Sequence, residues 1–86
     1  MIHKIVSIYD KKALNYGRPI AYVAEGAATR SFQDAINDPA TDFNKHPEDY
    51  AMWFLGDFND ETGEFSQPDK PTLLAEALGL IQVDAA

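Results

Sequence analysis

The side chains best suited to proton transfer or metal binding in this sequence are its two histidines and the acids beside one of them. His46 is followed closely by Glu48 and Asp49, a grouping that imitates a proton-transfer cluster. Neither His46 nor His3 stands three or four residues from a second ligand on a helix, the spacing that a zinc or di-metal site requires. We therefore expect no metal site. We interpret the segment as a turn fixed by Pro47, with its carboxylates capping backbone amides.

A second acidic group resembles a calcium-binding loop in composition. Its oxygen-bearing residues are Asp57, Asn59, Asp60, Glu61 and Glu64. A calcium loop of the EF-hand type beginning at Asp57 would need glycine where Thr62 stands and a bidentate glutamate where Pro68 stands. The flanking residues are also typical of strands, whereas that loop joins two helices. The sequence supports only weak, non-specific cation binding here.

Covalent and phosphate chemistry lack the residues that they require. The chain has no cysteine, and Ser7, Ser31 and Ser66 lie in no nucleophile-elbow context. The five glycines are dispersed and form no phosphate-binding run. We therefore expect a non-enzymatic protein without a cofactor.

The charge is strongly negative but uneven along the chain. The formal net charge is −7, which disfavours the usual binding of nucleic acid through clustered cations. Residues 1–30 nevertheless carry +3, whereas residues 31–86 carry −10. This basic region could contact a phosphate backbone, or it could be an ordinary solvated surface with interspersed charges. If DNA is bound, the candidate residues are Lys4, Lys11, Lys12, Tyr16 as a stacking group, Arg18 and Arg30.

The first half of the chain predicts two strands and a helix. Apolar residues on both faces of residues 2–9 predict a central strand covered on both sides. A polar loop follows over residues 10–19, and an apolar strand pattern resumes at residues 20–24. From residue 27 the period becomes that of an amphipathic helix, which must end near Asn37 or Asp38 because Pro39 disfavours helical geometry before it.

The second half predicts a β-hairpin after a polar connection. Phe43 is expected to anchor that connection to the core, and Pro47 suits the opening of one helical turn. Residues 50–58 alternate large side chains on two faces and are the strongest strand prediction. Gly63 is available for a positive φ in the following turn, and Phe65 resumes an extended segment.

The end of the chain predicts a short helix and an undecided tail. Thr72 is suited to cap a helix that ends at Gly79. Its apolar stripe is Leu73, Leu74, Ala77 and Leu78. The tail over residues 80–83 is compatible with an edge strand, a longer helix or a frayed end.

These elements predict one α+β domain over residues 1–86, with the order ββαββα. A four-stranded antiparallel sheet with helices on one face is the natural packing. Trp53 and Leu55 would then point away from the helices, so the second face needs a partner, the tail or a ligand. Aromatic residues on such a sheet can stack unpaired bases, although packing in the core is their commoner role.

Length and composition indicate where such a protein works. A chain of 86 residues has a thin core, so oligomerisation would stabilise it. The absence of cysteine suits a reducing compartment, and no signal-peptide pattern or membrane-spanning run is seen. We expect a soluble, cytoplasmic protein.

One run of residues resembles a known family. The segment Lys45, His46, Pro47, Glu48, Asp49, Tyr50 is its specific part. It is accompanied by Asn37-Asp38-Pro39, Phe43, Leu55-Gly56, Phe58, Thr62-Gly63 and Phe65, and by the opening Met1-Ile2-His3-Lys4-Ile5 with Ser7-Ile8-Tyr9-Asp10. Together these resemble the small nonstructural protein of gokushoviruses, single-stranded DNA phages of the Microviridae.

The resemblance implies a nonstructural protein of the infected bacterial cytoplasm that acts in genome replication. Control of the switch to single-stranded DNA synthesis, or its coupling to packaging, are the implied roles. The implied partners are phage or host replication proteins or procapsid proteins, with direct binding of single-stranded DNA left open. No catalytic residue comes with the family, and the segment from Lys45 to Tyr50 is predicted to be structural. The alternative hypothesis is a homodimeric protein-interaction module without affinity for nucleic acid.

Overall fold

Two long strands that are distant in the sequence pair along their whole length at the centre of the fold. The structure is a computed structural model that describes residues 1–82. Its elements in chain order are β1 (Ile2–Asp10), β2 (Asn15–Tyr16), β3 (Ile20–Tyr22), α1 (Glu25–Ile36), α2 (Asp42–Lys45), a 3-10 turn (Pro47–Asp49), β4 (Tyr50–Asn59), β5 (Phe65–Ser66), β6 (Thr72–Glu76) and α3 (Ala77–Leu80). β1 and β4 run antiparallel, from Ile2 opposite Asn59 to Asp10 opposite Tyr50.

Within residues 1–82 the sheet has six strands, so the prediction of four is wrong. β2 and β3 both pair with the outer edge of β1, and β5 and β6 both pair with the outer edge of β4. The described strands therefore occupy four antiparallel lanes, and each outer lane is divided into two short strands. In the first lane the division falls at residues 17–19, where Pro19 has no backbone N–H to donate to a ladder.

The predicted helix starting at Thr72 is also wrong, because Thr72–Glu76 is β6. Leu73 lies opposite Trp53, and Thr72 lies opposite Phe54. Pairing with the outer edge of β4 satisfies backbone groups that would otherwise be unpaired, which outweighs a weak helical preference. Within residues 72–82 the helix is confined to the four residues of α3, and Gly79 lies within that helix rather than after it.

The amphipathic helix and its core are confirmed. Ala28, Phe32 and Ile36 are buried on one side of α1 and pack against Val6 and Met52 of the central strands. Helices α1 and α3 lie on the same side of the sheet, since Ala77 of α3 belongs to the same cluster. The tail beyond Gln82 lies outside the described residues, so its predicted alternatives at Val83 are not addressed by the structure.

Phe43 anchors the connection between α1 and β4 as predicted. Its ring meets the edge of Tyr50 with centroids 4.8 Å apart and that of Phe32 with centroids 5.7 Å apart. Such edge-to-face pairs contribute about 0.5–1.5 kcal/mol each beyond the burial of apolar area. The aromatic row fixes the polar connection to the end of the central strands.

Side chains from the following connection satisfy the carbonyl groups at the end of α1. The Nδ2 of Asn37 donates to Gln33 O at 2.8 Å, Thr41 Oγ1 donates to Ala35 O at 2.6 Å, and Asn44 Nδ2 donates to Ile36 O at 3.0 Å. The Asn37 and Asp38 amides also donate to Gln33 O and Ala35 O at 3.1 and 3.2 Å, so the side chains reinforce the pairing of a part-buried helix end.

Asn37 also holds the chain that follows α3. Its Nδ2 donates to Leu80 O at 3.1 Å, and its Oδ1 accepts from Gln82 N at 2.8 Å. One side chain therefore joins the end of α1 to a segment more than forty residues away in the sequence.

We expect Asn37→Ala to lower the free energy of unfolding by about 1–2 kcal/mol, because it removes three hydrogen bonds, among them the one to the part-buried Leu80 carbonyl. Urea unfolding measures this change. Hydrogen exchange at the Gln82 amide should accelerate, while Asn15→Ala, which replaces an exposed strand residue, serves as the control. Unchanged Gln82 exchange would show that Asn37 does not hold the tail.

The turn after β4 and the turn after β1 each contain a residue with a positive φ, but only one of these two residues is a glycine. Gly63 has a φ of 76°, as predicted for the turn after β4, and a Cβ there would meet no atom within 4 Å. Leu14 has a φ of 60° in the turn between β1 and β2, where its side chain is 74% exposed. A leucine in this left-handed region is strained and has little burial to offset the strain.

Introducing glycine at position 14 and removing it at position 63 should have opposite effects on the free energy of unfolding. Leu14→Gly should raise the free energy of unfolding by about 0.5–1 kcal/mol, because relief of the strain exceeds the entropy cost of glycine. Gly63→Ala should lower it by about 1–2 kcal/mol. Urea denaturation of both variants checks the pair, and a loss of stability in Leu14→Gly would refute the strain assigned to Leu14.

Candidate functional site

The sheet face opposite α1 is the main candidate surface, and we call it the open face. Directly paired residues of antiparallel strands place their side chains on the same face. The register therefore puts Ser7 with Trp53 and Leu73 on the open face, and Val6 with Phe54 on the helical face. The apolar side chains of the open face are Ile5, Tyr9, Tyr16, Trp53, Phe58, Phe65 and Leu73.

No helix among residues 1–82 packs on the open face. Tyr16, Phe65 and Leu73 are 42%, 47% and 43% exposed, whereas the core cluster contains only residues from the helical side and the helices. The prediction that β1 is covered on both sides is met only in part, because Ser7 on the open side is 1% exposed and donates to Gly17 O, whereas Ile5 and Tyr9 are partly exposed. The prediction that one sheet face is left for a partner, the tail or a ligand agrees with the helices of residues 1–82 lying on one side only.

Phe65 covers a glycine in the middle of the open face. A Cβ built on Gly56 would lie 2.7 Å from Phe65 Cε1 and 2.7 Å from Ser66 O. Gly56 follows a β-bulge at Leu55, where β4 has one more residue than β1. The close approach explains the glycine, and the ring makes this part of the face flat and aromatic.

Trp53 contributes an unsatisfied donor to the same face. Its Nε1 is buried and has no hydrogen-bond acceptor among residues 1–82. Leaving a buried donor unpaired costs about 1–3 kcal/mol. A tryptophan retained at this position is therefore costly to the isolated chain.

Ion pairs stand at both ends of the open face. At one end Asp60 accepts from the Met1 ammonium at 2.7 Å and contacts His3 Nε2 at 2.8 Å. At the other end Lys11 Nζ lies 3.0 Å from Glu76 Oε2. The centre of the face is apolar, and its charged ends are already neutralised.

The predicted DNA-binding residues do not form one patch. Lys4 pairs with Asp57 at 2.8 Å on the helical side of the sheet, and Arg30 lies on α1. Lys11, Lys12, Tyr16 and Arg18 share the segment that leads from β1 to β3, where Tyr16 lies on the open face. Tyr16 stacks against Tyr9 with ring centroids 4.8 Å apart, so it is already held by a neighbour.

These cations also differ in how far they are neutralised. Lys4 and Lys11 are ion-paired. Lys12, Arg18 and Arg30 form no ion pair with any residue from 1 to 82. Lys4 and Lys11 therefore fit the alternative interpretation, an ordinary surface with interspersed charges. Lys12 and Arg18, which have no ion-pair partner within residues 1–82, lie in the segment between β1 and β3.

The segment from Lys45 to Tyr50 connects helix to sheet. Lys45 ends α2, Pro47 occupies the first position of the 3-10 turn, and Tyr50 begins β4. The Lys11 amide donates to Asp49 O at 2.8 Å, which ties the turn to the end of β1. These contacts join α2, the 3-10 turn and the ends of both central strands, and the structural role of the segment stays a prediction.

His46, Glu48 and Asp49 place their ligand atoms within 4.8 Å of one another on an exposed turn. The predicted capping of amides by these carboxylates is wrong, because the turn is closed by the Asp49 amide donating to His46 O at 3.0 Å. Asp57 and Asp60 of the predicted weak cation site are instead held by Lys4, the Met1 ammonium and His3.

A cavity of about 480 Å³ lies on the helical side, beside the segment between β1 and β3. Its walls are Ile8, Asp10, Asn15, Gly17, Arg18, Ile20, Phe43 and Tyr50. The sequence analysis did not predict this cavity, although it selected Arg18 for its charge and Phe43 as an anchor.

None of the described helices is long and apolar enough to cross a membrane.

The fold and the open face define a small α+β protein that displays an apolar, aromatic sheet surface. The chain belongs to the Phage ORF5 protein family, whose model matches residues 3–80. It is 34% identical over 67 residues to Protein ORF5 of Chlamydia phage 1, a gokushovirus, with 73% of this chain and 70% of that protein covered. No solved structure matches. The resemblance to gokushovirus proteins is thereby confirmed, and this is a bacteriophage protein of the Microviridae.

The charge cluster at Asp60 predicts a pH dependence of stability. The Met1 ammonium, and after it His3, hold the pKa of Asp60 below its ordinary value of 3.8. The stabilisation is therefore present above pH 3.8 and is lost as the pH falls through the lowered pKa of the folded state.

We expect Asp60→Asn to destabilise the protein near neutral pH and to match the unsubstituted chain below the lowered pKa. Urea unfolding across acidic pH measures the difference. Asp69→Asn removes an exposed carboxylate that forms no ion pair within residues 1–82 and is the control. A difference between Asp60→Asn and the parent that stays constant with pH would count against the ion pair.

Proposed function

We propose that this protein is a non-enzymatic accessory protein that modulates single-stranded DNA genome replication or its coupling to packaging. It acts in the cytoplasm of the host bacterium by binding phage or host replication proteins or procapsid proteins. Membership of a Microviridae phage family supports the setting. The open face is the observation that carries the mode of action.

The chemistry of the open face favours a protein partner over a nucleic acid. Its apolar side chains include Trp53, Phe58, Phe65 and Leu73, and aromatic residues are enriched in the buried centres of protein interfaces. The cations at its ends, the Met1 ammonium and Lys11, already face carboxylates. With a net charge of −7, long-range attraction to DNA phosphates is weak.

Direct contact with single-stranded DNA is assigned to a different part of the protein. Lys12 and Arg18 lie in the segment between β1 and β3 and have no carboxylate partner within residues 1–82. Two free cations give a local, salt-sensitive contact of modest strength. Such a contact suits a protein that meets DNA while it is held by a protein partner.

We expect Leu73→Glu to reduce the accumulation of single-stranded progeny genomes in infected cells. Leu73 is an exposed residue of the open face, so the charge disrupts an interface there without opening the core. The measurement is the ratio of single-stranded to double-stranded phage DNA after infection. Val23→Glu is the matched control, because Val23 is an exposed apolar residue outside the paired strands.

Equal single-stranded DNA accumulation in both variants and the parent phage would contradict the use of the open face. The purified variants should retain parental urea midpoints, since both substituted side chains are exposed. This comparison separates a loss of binding from a loss of folding.

The second candidate is a homodimer that buries the open face and has no affinity for nucleic acid. A two-fold axis across the strands would pack the apolar centre of one open face against that of the other, with the ion-paired ends at the rim. Light scattering that gives twice the chain mass for the parent and Val23→Glu, but one chain mass for Leu73→Glu, would favour it. A gel shift with single-stranded DNA at low and physiological salt should then show no complex.

A further inference from the structure

The cavity beside the segment between β1 and β3 has the size and lining of a small-ligand site. Its volume of about 480 Å³ lies within the roughly 300–1,000 Å³ that is typical of ligand pockets. It lies on the helical side of the sheet, because Ile8 and Tyr50 of its walls also pack against the helical core. It is therefore separate from the open face.

Four of the residues that line the cavity are aliphatic or aromatic. Ile8 and Ile20 contribute branched side chains, and Phe43 and Tyr50 meet edge to face at 4.8 Å. Burial, followed by the charges of Asp10, Asp42 and Asp49, raises the pKa of the Tyr50 hydroxyl above its ordinary value. Tyr50 therefore stays neutral near pH 7, and these walls suit a flat, uncharged ring.

Two charged side chains of opposite sign lie at the same cavity. One oxygen of Asp10, Oδ1, accepts from Lys12 N at 2.9 Å and Ala13 N at 3.2 Å, whereas Oδ2 accepts no hydrogen bond from residues 1–82. Arg18 is exposed and forms no ion pair with any of residues 1–82. A free acceptor and a free guanidinium thus border an apolar slot.

We propose that this cavity binds a nucleotide, with the base between the apolar walls, an exocyclic amino group donating to Asp10, and the phosphate paired with Arg18. Carboxylates accept from amino groups of bases, and the arginine fork matches phosphate oxygens. Thymine has no amino group, so bases that carry one are preferred. The nucleotide is either free or an unpaired residue of single-stranded DNA, and only the second source rests on the DNA contact of the proposed function.

Amide NMR of the whole chain, titrated with deoxycytidine monophosphate, tests the site. Shifts should appear at Gly17, Arg18, Ile20, Phe43 and Tyr50, with weaker binding of thymidine monophosphate. Deoxyribose 5-phosphate should leave Phe43 and Tyr50 unshifted, because it has no base to enter the slot. Equal shifts with the sugar phosphate would overturn the proposal and show an anion contact at Arg18 only.

Variants assign the parts of the site. Arg18→Ala should weaken binding of deoxycytidine monophosphate at least tenfold, while Arg30→Ala, which removes a free cation outside the cavity, should leave it unchanged. Ile20→Trp should abolish binding by filling the slot, and its NMR dispersion shows whether it folds. Parental affinity in folded Ile20→Trp would overturn the proposal.

Asp10→Asn tests recognition of the base. An amide keeps the oxygen that accepts from Lys12 and Ala13 and replaces the free acceptor by a donor. The preference for cytosine over thymine should therefore disappear while the turn is retained. An unchanged preference would contradict the role of Asp10.

Oligonucleotides distinguish the two sources. If the cavity takes an unpaired base of DNA, a deoxycytidine decamer should bind more tightly than the mononucleotide and shift the same amides. If it takes a free nucleotide, the decamer should leave those amides unshifted. Either result upholds the site, and the infection assay with Leu73→Glu reports on the proposed function independently.

Discussion

The antiparallel pairing of β1 with β4 is the constraint on which the rest of the structure depends. Each strand has two edges for backbone hydrogen bonds, and these strands use one edge for each other along their full length. Their outer edges are left for short segments, which is why both outer lanes are divided. The same pairing fixes which side chains meet α1 and which remain on the open face.

The helical connection completes one side of this sheet and leaves the other unoccupied. α1 supplies its apolar stripe, and Phe43 extends the core toward Tyr50. Its last carbonyls are satisfied by Asn37, Thr41 and Asn44, so polar residues of the connection stabilise the helix end. Within residues 1–82 no comparable layer covers Trp53 and Leu73, and a small domain with one such face gains stability when a partner covers it.

Sequence patterns predicted the elements whose own periodicity is strong. The alternation of large residues in β4 and the helical stripe in α1 each reflect one buried face, and Gly63 reflects a backbone requirement. The failures concern short segments. Leu73 and Leu74 suit a helix or a strand equally well, and the choice is made by the free edge of β4, which lies outside the local sequence.

The candidate sites were predicted even less completely, because they depend on residues that are distant in the chain. Lys4 and Lys11 read as free cations in the sequence, but Asp57 and Glu76 neutralise them from other strands. The cavity could not be foreseen for the same reason, since Phe43 and Tyr50 reach Arg18 only through the fold. Local pattern indicated which residues have useful chemistry, and the topology decided which of them act together.

The separation of β1 from its partner also has a consequence for the order of folding. β1 ends at Asp10 and β4 begins at Tyr50, so the first strand finds no long partner until the chain through Asn59 has been made. Closing so large a loop before any central pairing is gained slows folding relative to a helical domain of similar size. During synthesis, β2 and β3 are available for the outer edge of β1, whereas its inner edge stays unpaired until the ribosome has made β4.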